Sequence, residues 1–256
     1  MVISIIKPIG ARILDYPIDL PLTLQSKIQD FWQKQVEKNP YLFNGEVWSV
    51  SKFQEFPDKL QLLIQKTDYA HYLYDERVGI DSPYSCYNLN CGILLETNDH
   101  YYVVGEMNET TSYPHGLQIS GGNLDDQDVL PDGKVDLIGN VARELNEELN
   151  LTLFDSTQIS SYQFAYLELP QGKRHSYAPM MKGQLTFSAK EMEKYYQSYQ
   201  QSLRQTGGEI EFECLHFIPK DSVKEALAKM PNPKRPYLED LLTMDQQLCI
   251  SLGDEQ

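Results

Sequence analysis

The sequence has few basic residues, and this shortage limits what the protein can bind. Lys and Arg total 22 among 256 residues, whereas Asp and Glu total 37, so the formal net charge is −15 at pH 7. A protein that binds duplex nucleic acid neutralises phosphates with clustered Lys and Arg side chains. We therefore expect no nucleic-acid partner. The acidic excess favours either simple solubility or a local cluster of carboxylates that holds a metal ion.

Cysteine is also scarce. Four cysteines in a chain of this length do not form a disulfide scaffold, and none of them has the paired Cys-x-x-Cys spacing of a zinc site. We therefore expect reduced, mostly buried thiols at Cys86, Cys91, Cys214 and Cys249.

Long apolar runs are missing from the sequence. No run approaches the ~18 apolar residues of a transmembrane helix. The apolar run within residues 1–11 is too short for a signal peptide, and Lys7 and Pro8 interrupt it. The sequence therefore predicts a cytoplasmic protein without a membrane partner.

Apolar residues nevertheless make up 41% of the chain, which is enough for a substantial core. Near the N-terminus their spacing predicts a helix over 24–36, with Thr23 as its N-cap. Two strands are predicted after it, over 47–53 and 60–66. This order of elements is typical of a small α/β domain.

A stretch rich in turn formers, residues 79–90, is the best candidate for a domain boundary. We predict a leader domain over 1–88 and a second domain over 89–256. The second region mixes strands and helices, which predicts an α+β fold. Its predicted strands cover 91–97, 101–106, 116–120, 162–169, 180–187 and 211–218, and its predicted helices cover 136–149, 189–203, 222–229 and 237–248.

The most informative segment is acidic and lies on the predicted helix 136–149. Residues three and four apart share a helix face, so Glu144, Glu147 and Glu148 come together on one side. Crowded carboxylates repel each other unless a cation lies among them, and oxygen ligands suit Mg²⁺ or Mn²⁺. The alternative is a solvated acidic helix face.

Neighbouring residues favour the metal site over that alternative. Arg143 can pair with a carboxylate and hold its orientation. Asn150 stands where a helix often ends in left-handed geometry. Gly121 and Gly122, at the end of a short strand, allow the backbone to approach a ligand closely and expose a carbonyl that can join a metal shell.

The segment resembles the signature of the Nudix hydrolase family. That signature is Gly, five residues, Glu, seven residues, then Arg-Glu-apolar-any-Glu-Glu-any-Gly-apolar. Residues 143–151 match its second half with one substitution, Asn150 for Gly. Arg143 follows Gly122 by 21 residues instead of the family's 14, so the loop is longer and the middle Glu is replaced by either Asp128 or Asp136.

The resemblance implies a fold, a reaction and a set of site residues. It implies an α/β/α sandwich that hydrolyses a diphosphate linked to another moiety, with Mg²⁺ as the cofactor and Mn²⁺ as a substitute. The metal ligands would be Glu144, Glu147, Glu148 and the Gly122 carbonyl, and Arg143 would orient Glu144. Glu144 or a late acid, Glu209 or Glu211, would assist catalysis as a base, although both late acids also fit a solvent-facing strand edge.

Two further positions are candidates for substrate contact. Gly121 allows close approach to a small-molecule substrate. Arg174, in the polar loop segment Lys173-Arg174-His175, can bind phosphate, although solvated loop charge is the alternative.

The leader region suggests which diphosphate is cleaved. Residues 39–45, followed by a strand pair and residues 67–73, resemble the leader of Nudix enzymes that act on UDP-glucose and UDP-galactose. We therefore expect a nucleoside diphosphate sugar as the substrate, namely UDP-glucose or UDP-galactose, cleaved to UMP and sugar 1-phosphate. ADP-ribose or another nucleoside diphosphate is an alternative, and so is a module that binds a nucleotide sugar without cleaving it.

Overall fold

The computed structural model describes residues 1–40, 42–80, 83–111, 113–172 and 175–253, with side chains described up to residue 248. Over these residues the fold is α+β, as predicted: twelve strands form one mixed sheet and six α-helices pack around it. No helix in the described ranges combines the length and the apolar composition needed to cross a bilayer.

The N-terminal region forms two helices and four strands. The predicted helix and strand pair are present, but Pro21, not Thr23, precedes the first helix, and it makes no side-chain cap. Asp68 caps the second helix by accepting a hydrogen bond from the His71 amide at 2.9 Å. The elements are β1 (Val2–Ser4), β2 (Ile9–Ile13), α1 (Leu22–Lys38), β3 (Glu46–Glu55), β4 (Leu60–Asp68) and α2 (Tyr69–Val78).

The rest of the chain supplies the remaining eight strands and four helices. The predicted strands over 91–97 and 101–106 are present as β6 and β7, which pair antiparallel. The elements are β5 (Asn88–Leu89), β6 (Gly92–Glu96), β7 (Tyr101–Met107), β8 (Leu117–Gln118), β9 (Lys134–Val135), α3 (Leu137–Leu149), β10 (Ile159–Glu168), β11 (Ser176–Leu185), α4 (Ala189–Thr206), β12 (Phe212–Pro219), α5 (Val223–Ala228) and α6 (Leu238–Gly253).

Helices cover both faces of the sheet in the second region, which gives the predicted α/β/α layers. On one face the apolar sides of α3 and α4 pack in a core that includes Leu145 and Tyr196. On the other face α5 and α6 pack in a second core that includes Leu227 and Leu241. The two faces of β7 follow this division, since Val103 belongs to the first core and Val104 to the second.

The sheet continues across residue 88, the predicted domain boundary. Strand β1 pairs antiparallel with β10, and β2 pairs antiparallel with β9. Strand β5, which spans the boundary, pairs with both β3 and β11. The division at residue 88 stays a prediction, but the strands on its two sides are hydrogen-bonded to one another.

A buried charge network attaches α6 to the sheet. The Asp245 side chain is only 1% exposed and lies 2.6 Å from the Lys182 ammonium. It also accepts hydrogen bonds from the hydroxyls of Tyr102 and Tyr166. Burial opposes ionisation of Asp245, but these donors hold its pKa below the ordinary value. The helix therefore depends on this carboxylate as well as on apolar packing.

Candidate active site

Helix α3 carries the acidic segment, and its two ends are fixed by polar residues. Asp136 is the N-cap and accepts a hydrogen bond from the Gly139 amide at 2.8 Å. Asn150 ends the helix in left-handed geometry (φ 55°, ψ 28°), as predicted. Because Val141, Leu145 and Leu149 pack in the core, the helix has a fixed rotation about its axis.

Glu148 is the most deeply buried carboxylate of the segment, with 3% exposure. Its Oε2 atom accepts a hydrogen bond from the Gly121 amide at 2.9 Å, whereas its buried Oε1 atom has no hydrogen-bond partner. Burial, and then the negative charge of Glu211, raise the pKa of Glu148 well above its ordinary value. An uncompensated buried oxygen of this kind is a natural position for a cation.

Glu144 lies against the backbone of Gly122. A Cβ atom at residue 122 would stand 2.5 Å from the Glu144 carboxyl group, so a larger residue there would displace the Glu144 carboxylate. Burial raises the pKa of Glu144 to about 7, although the charge of Arg143 opposes the rise. The Gly122 carbonyl accepts a hydrogen bond from the Cys91 amide at 3.0 Å, which fixes its position beside the carboxylate.

Gly121 is required for a different close contact. Its φ angle is +147°, and a Cβ atom there would lie 2.2 Å from the Cys91 carbonyl oxygen. The tight backbone at Gly121 is what presents its amide to Glu148. The amide of Gly121, a predicted position of substrate contact, is therefore hydrogen-bonded to α3 in this structure.

Arg143 lies among several acidic groups. Its Nη1 atom is 2.7 Å from Glu144 and 3.3 Å from Glu147. Its Nη2 atom is 3.3 Å from Asp128 and 3.5 Å from the carbonyl oxygen of Asn123. The guanidinium therefore orients Glu144 from one side while Asp128 holds the guanidinium from the other.

The two candidates for the missing middle acid have different surroundings. Asp128 is 4% exposed and accepts hydrogen bonds from Asn140 at 2.9 Å and from Arg143 at 3.3 Å. Asp136 instead caps α3. The geometry therefore favours Asp128 as the acid that supports Arg143, a choice that the sequence spacing left open.

The longer loop between Gly122 and α3 has a structure of its own. Residues Asp126–Asp128 form a 3₁₀ turn, and the short strand β9 follows. Strand β9 pairs with β2 of the leader, and Asp126 lies 3.0 Å from the Lys66 ammonium of β4. The extra residues thus join the leader to the acidic segment.

The other acidic residues predicted for the site lie around Glu144, Glu148 and Arg143. The Glu147 side chain is 59% exposed and turned toward Arg143. Glu211 lies near enough for its negative charge to raise the pKa of both Glu144 and Glu148. Glu209 is exposed, and its negative charge raises the pKa of Glu211. Arg174 lies outside the described residues.

Tyrosines of α4 also contact the site, a role that the sequence pattern did not reveal. The Tyr199 hydroxyl donates a hydrogen bond to the Glu147 carbonyl at 2.8 Å, and the Tyr195 hydroxyl donates to the Asn150 carbonyl at 2.6 Å. These hydroxyls satisfy carbonyls that the end of α3 leaves unpaired. Their helical spacing predicts only a packed face, because hydrogen bonding to another helix leaves no local sequence signal.

The donor set suits a hard divalent cation. Glu144 and Glu148 are both shielded from water, and Glu211 adds a third negative charge nearby. Arg143 supplies one positive charge, and its guanidinium also pairs with Asp128 and Glu147, so it does not neutralise all of these carboxylates. Carboxylate and carbonyl oxygens are the ligands that Mg²⁺ and Mn²⁺ prefer. The residues therefore fit such an ion.

Stabilisation by Mg²⁺ is expected to increase with pH. The pKa of Glu144 in the folded protein is about 7, above its ordinary 4.5, so this group stabilises the metal-free fold most at low pH and loses that contribution as pH rises toward 7. Magnesium needs the ionised form, and its binding releases the proton. We expect the rise in Tm caused by Mg²⁺ to be larger at pH ~8 than at pH ~5.5.

Thermal melts with and without Mg²⁺ at each pH measure this difference, and Glu144→Gln is the matched control. The variant should show a smaller pH dependence, since one titrating carboxyl group is gone while Glu148, whose pKa is also raised, still titrates. A Mg²⁺ effect that is equal at both pH values in the unaltered protein would contradict the assignment.

Comparison with known proteins finds similarity only among solved structures. No protein-family profile and no curated protein matches this chain. DR0079 from Deinococcus radiodurans is 12% identical, with a TM-score of 0.45 over 78% of this chain and 98% of that chain. A Nudix hydrolase from Nitrosomonas europaea is 13% identical, with a TM-score of 0.36 over 63% of this chain and 88% of that chain. A Caenorhabditis elegans Ap4A hydrolase is 12% identical, with a TM-score of 0.36 over 64% of this chain and 98% of that chain.

Proposed function

We propose that the protein is a Nudix hydrolase that uses Mg²⁺ or Mn²⁺ to cleave the diphosphate of a nucleoside diphosphate sugar. The observation that carries the proposal is the buried pair Glu144 and Glu148, each held against one glycine of Gly121-Gly122. A solvated acidic helix face does not account for this pair, because its carboxylates would remain in water. The Arg-Glu-apolar-any-Glu-Glu order of residues 143–148 supports the same proposal.

Each residue has a part in the proposed reaction. Glu144, Glu147, Glu148 and the Gly122 carbonyl hold the ion, which neutralises the phosphates and activates water when bound. Arg143 keeps Glu144 in position through their 2.7 Å contact. Glu211 is the better placed of the late acids to accept a proton from water. Desolvation, and then the charges of Glu209 and Glu147, raise the pKa of Glu211, which makes its carboxylate a stronger base.

The leader domain supports the choice of substrate class. It resembles the leader of UDP-glucose and UDP-galactose hydrolases, and its strand β2 and its residue Lys66 contact the loop that precedes α3. Within the leader, Asn44 accepts a hydrogen bond from the Ala70 amide at 2.7 Å and Asp68 caps α2. These two residues of the leader motifs therefore stabilise the leader fold.

A panel of nucleotide sugars tests the proposal. We expect Mg²⁺-dependent conversion of UDP-glucose or UDP-galactose to UMP and sugar 1-phosphate, with no turnover after chelation. Hydrolysis of ADP-ribose alone would keep the reaction and contradict the choice of a UDP-sugar. Saturable binding of these compounds without any product would contradict the reaction and favour a binding module.

A further inference from the structure

A second group of metal-binding side chains lies between β7 and β12, the antiparallel strands that place Cys214 directly opposite Glu106. Glu106 Oε2 is 2.8 Å from His216 Nε2, and Cys214 Sγ is 3.6 Å from each of these two atoms. Among the residues that the structure describes, these three form the one group of three or more His, Cys, Asp or Glu whose ligand atoms all lie within 4.8 Å of one another.

The group lies on the opposite face of the sheet from α3. His216 is two residues before Ile218 and Glu106 is two residues after Val104, and both of these apolar residues pack in the core beneath α5 and α6. The group is therefore separate from Glu144 and Glu148, whose helix packs on the other face.

The geometry does not fit a nucleophilic thiol with its base. In such an arrangement one ring nitrogen of His faces the thiol and the other faces the carboxylate. Here the single atom His216 Nε2 faces both Cys214 and Glu106. Burial and the adjacent Glu106 also raise the pKa of the Cys214 thiol to about 11, which disfavours a free thiolate.

The same geometry fits a tetrahedral metal ion. With Zn–S near 2.3 Å and Zn–N and Zn–O near 2.0 Å, neighbouring ligand atoms lie about 3.3–3.6 Å apart. The two distances to Cys214 Sγ already have this length, and the Glu106–His216 pair needs to open by about 0.5 Å. One thiolate, one imidazole and one carboxylate suit Zn²⁺ better than Mg²⁺, which takes oxygen ligands.

We propose that Glu106, Cys214 and His216 bind Zn²⁺ at a site distinct from the acidic segment of α3. The ion links β7 to β12, and binding releases the thiol proton to solvent, so that Glu106 and Cys214 neutralise its two positive charges. His115 lies with Nδ1 3.3 Å from the other oxygen of Glu106, where it positions the carboxylate. The fourth coordination position is left to water.

Cobalt substitution tests the site without relying on activity. The full-length, metal-depleted protein is titrated with Co²⁺ in excess Mg²⁺, which occupies carboxylate sites. We expect one equivalent to give a thiolate-to-cobalt charge-transfer band and the visible spectrum of tetrahedral Co²⁺, both removed by one equivalent of Zn²⁺.

Cys214→Ser should abolish the charge-transfer band, and His216→Gln should weaken Co²⁺ binding at least tenfold. His100→Asn, at an exposed histidine with positive φ, is the matched control and should leave both signals unchanged.

A second measurement uses the unaltered protein and does not depend on how the variants fold. Zinc should protect Cys214 from alkylation, as read by mass spectrometry of its peptide. Absence of the charge-transfer band, a band that persists in Cys214→Ser, or alkylation of Cys214 at the same rate with and without Zn²⁺ would each overturn the proposal.

Discussion

Glu148→Gln is expected to lower kcat by about 100-fold or more at saturating Mg²⁺, because loss of several kcal/mol of metal-derived charge stabilisation corresponds to at least that factor. The same change should leave the metal-free protein as stable as before, or more stable. Burial raises the pKa of Glu148, so its ionised form opposes folding in the absence of a cation, and a neutral amide of similar size does not. Steady-state kinetics and thermal melts of the metal-free protein measure the two effects.

The opposite directions of these effects make the prediction specific. Glu193→Gln is the matched control, since it makes the same replacement on an exposed position of α4 and should change neither quantity. A Glu148→Gln protein with unaltered kcat at saturating Mg²⁺ would contradict the site. A protein that lost both activity and stability would show that Glu148 has a structural role instead.

Asp245→Ala is expected to destabilise the protein by about 3–5 kcal/mol, the usual cost of breaking a buried ion pair. The change leaves Lys182 without its 2.6 Å partner and leaves the buried hydroxyls of Tyr102 and Tyr166 without this acceptor. Helix α6 should then separate from the sheet more easily. The free energy of unfolding from urea denaturation measures the loss.

Gln247→Ala is the control for this prediction. It alters an exposed residue of the same helix and should change the free energy of unfolding by no more than about 0.5 kcal/mol. If Asp245→Ala cost no more than this control, the network would not hold α6 to the sheet.

Local sequence signals were sufficient to predict helix α3. Its N-terminus, its left-handed end at Asn150 and its buried face at Leu145 and Leu149 all depend on residues within the helix or next to it. The closeness of Glu144 to Arg143 follows from the same spacing. Features that depend on one element can be predicted from its sequence alone.

Non-local pairing explains what the sequence did not predict. Strands β1, β2 and β9 have two to five residues each, and they pair with strands far away along the chain. Strands β1 and β9, with three and two residues, are too short for a period-2 pattern to indicate a strand. The choice between Asp128 and Asp136 has the same cause, since spacing alone does not show which one reaches Arg143.

The group formed by Glu106, Cys214 and His216 was missed for a related reason. A search for paired Cys-x-x-Cys spacing looks for ligands supplied by one loop, whereas these ligands come from two strands that are distant in the sequence. The expectation of free, buried thiols is confirmed for Cys86 and Cys91, but Cys214 is only partly buried.

Hydrolysis of UDP-glucose in water enriched in ¹⁸O tests the central claim most directly. A centre that holds a divalent ion on Glu144 and Glu148 stabilises charge that develops at phosphorus, so the attacking oxygen should appear in a phosphate product. A glycosidase instead attacks the anomeric carbon with a pair of carboxylates. We predict that the label enters UMP or glucose 1-phosphate and never the anomeric hydroxyl of glucose. Release of free, labelled glucose together with UDP would contradict the account.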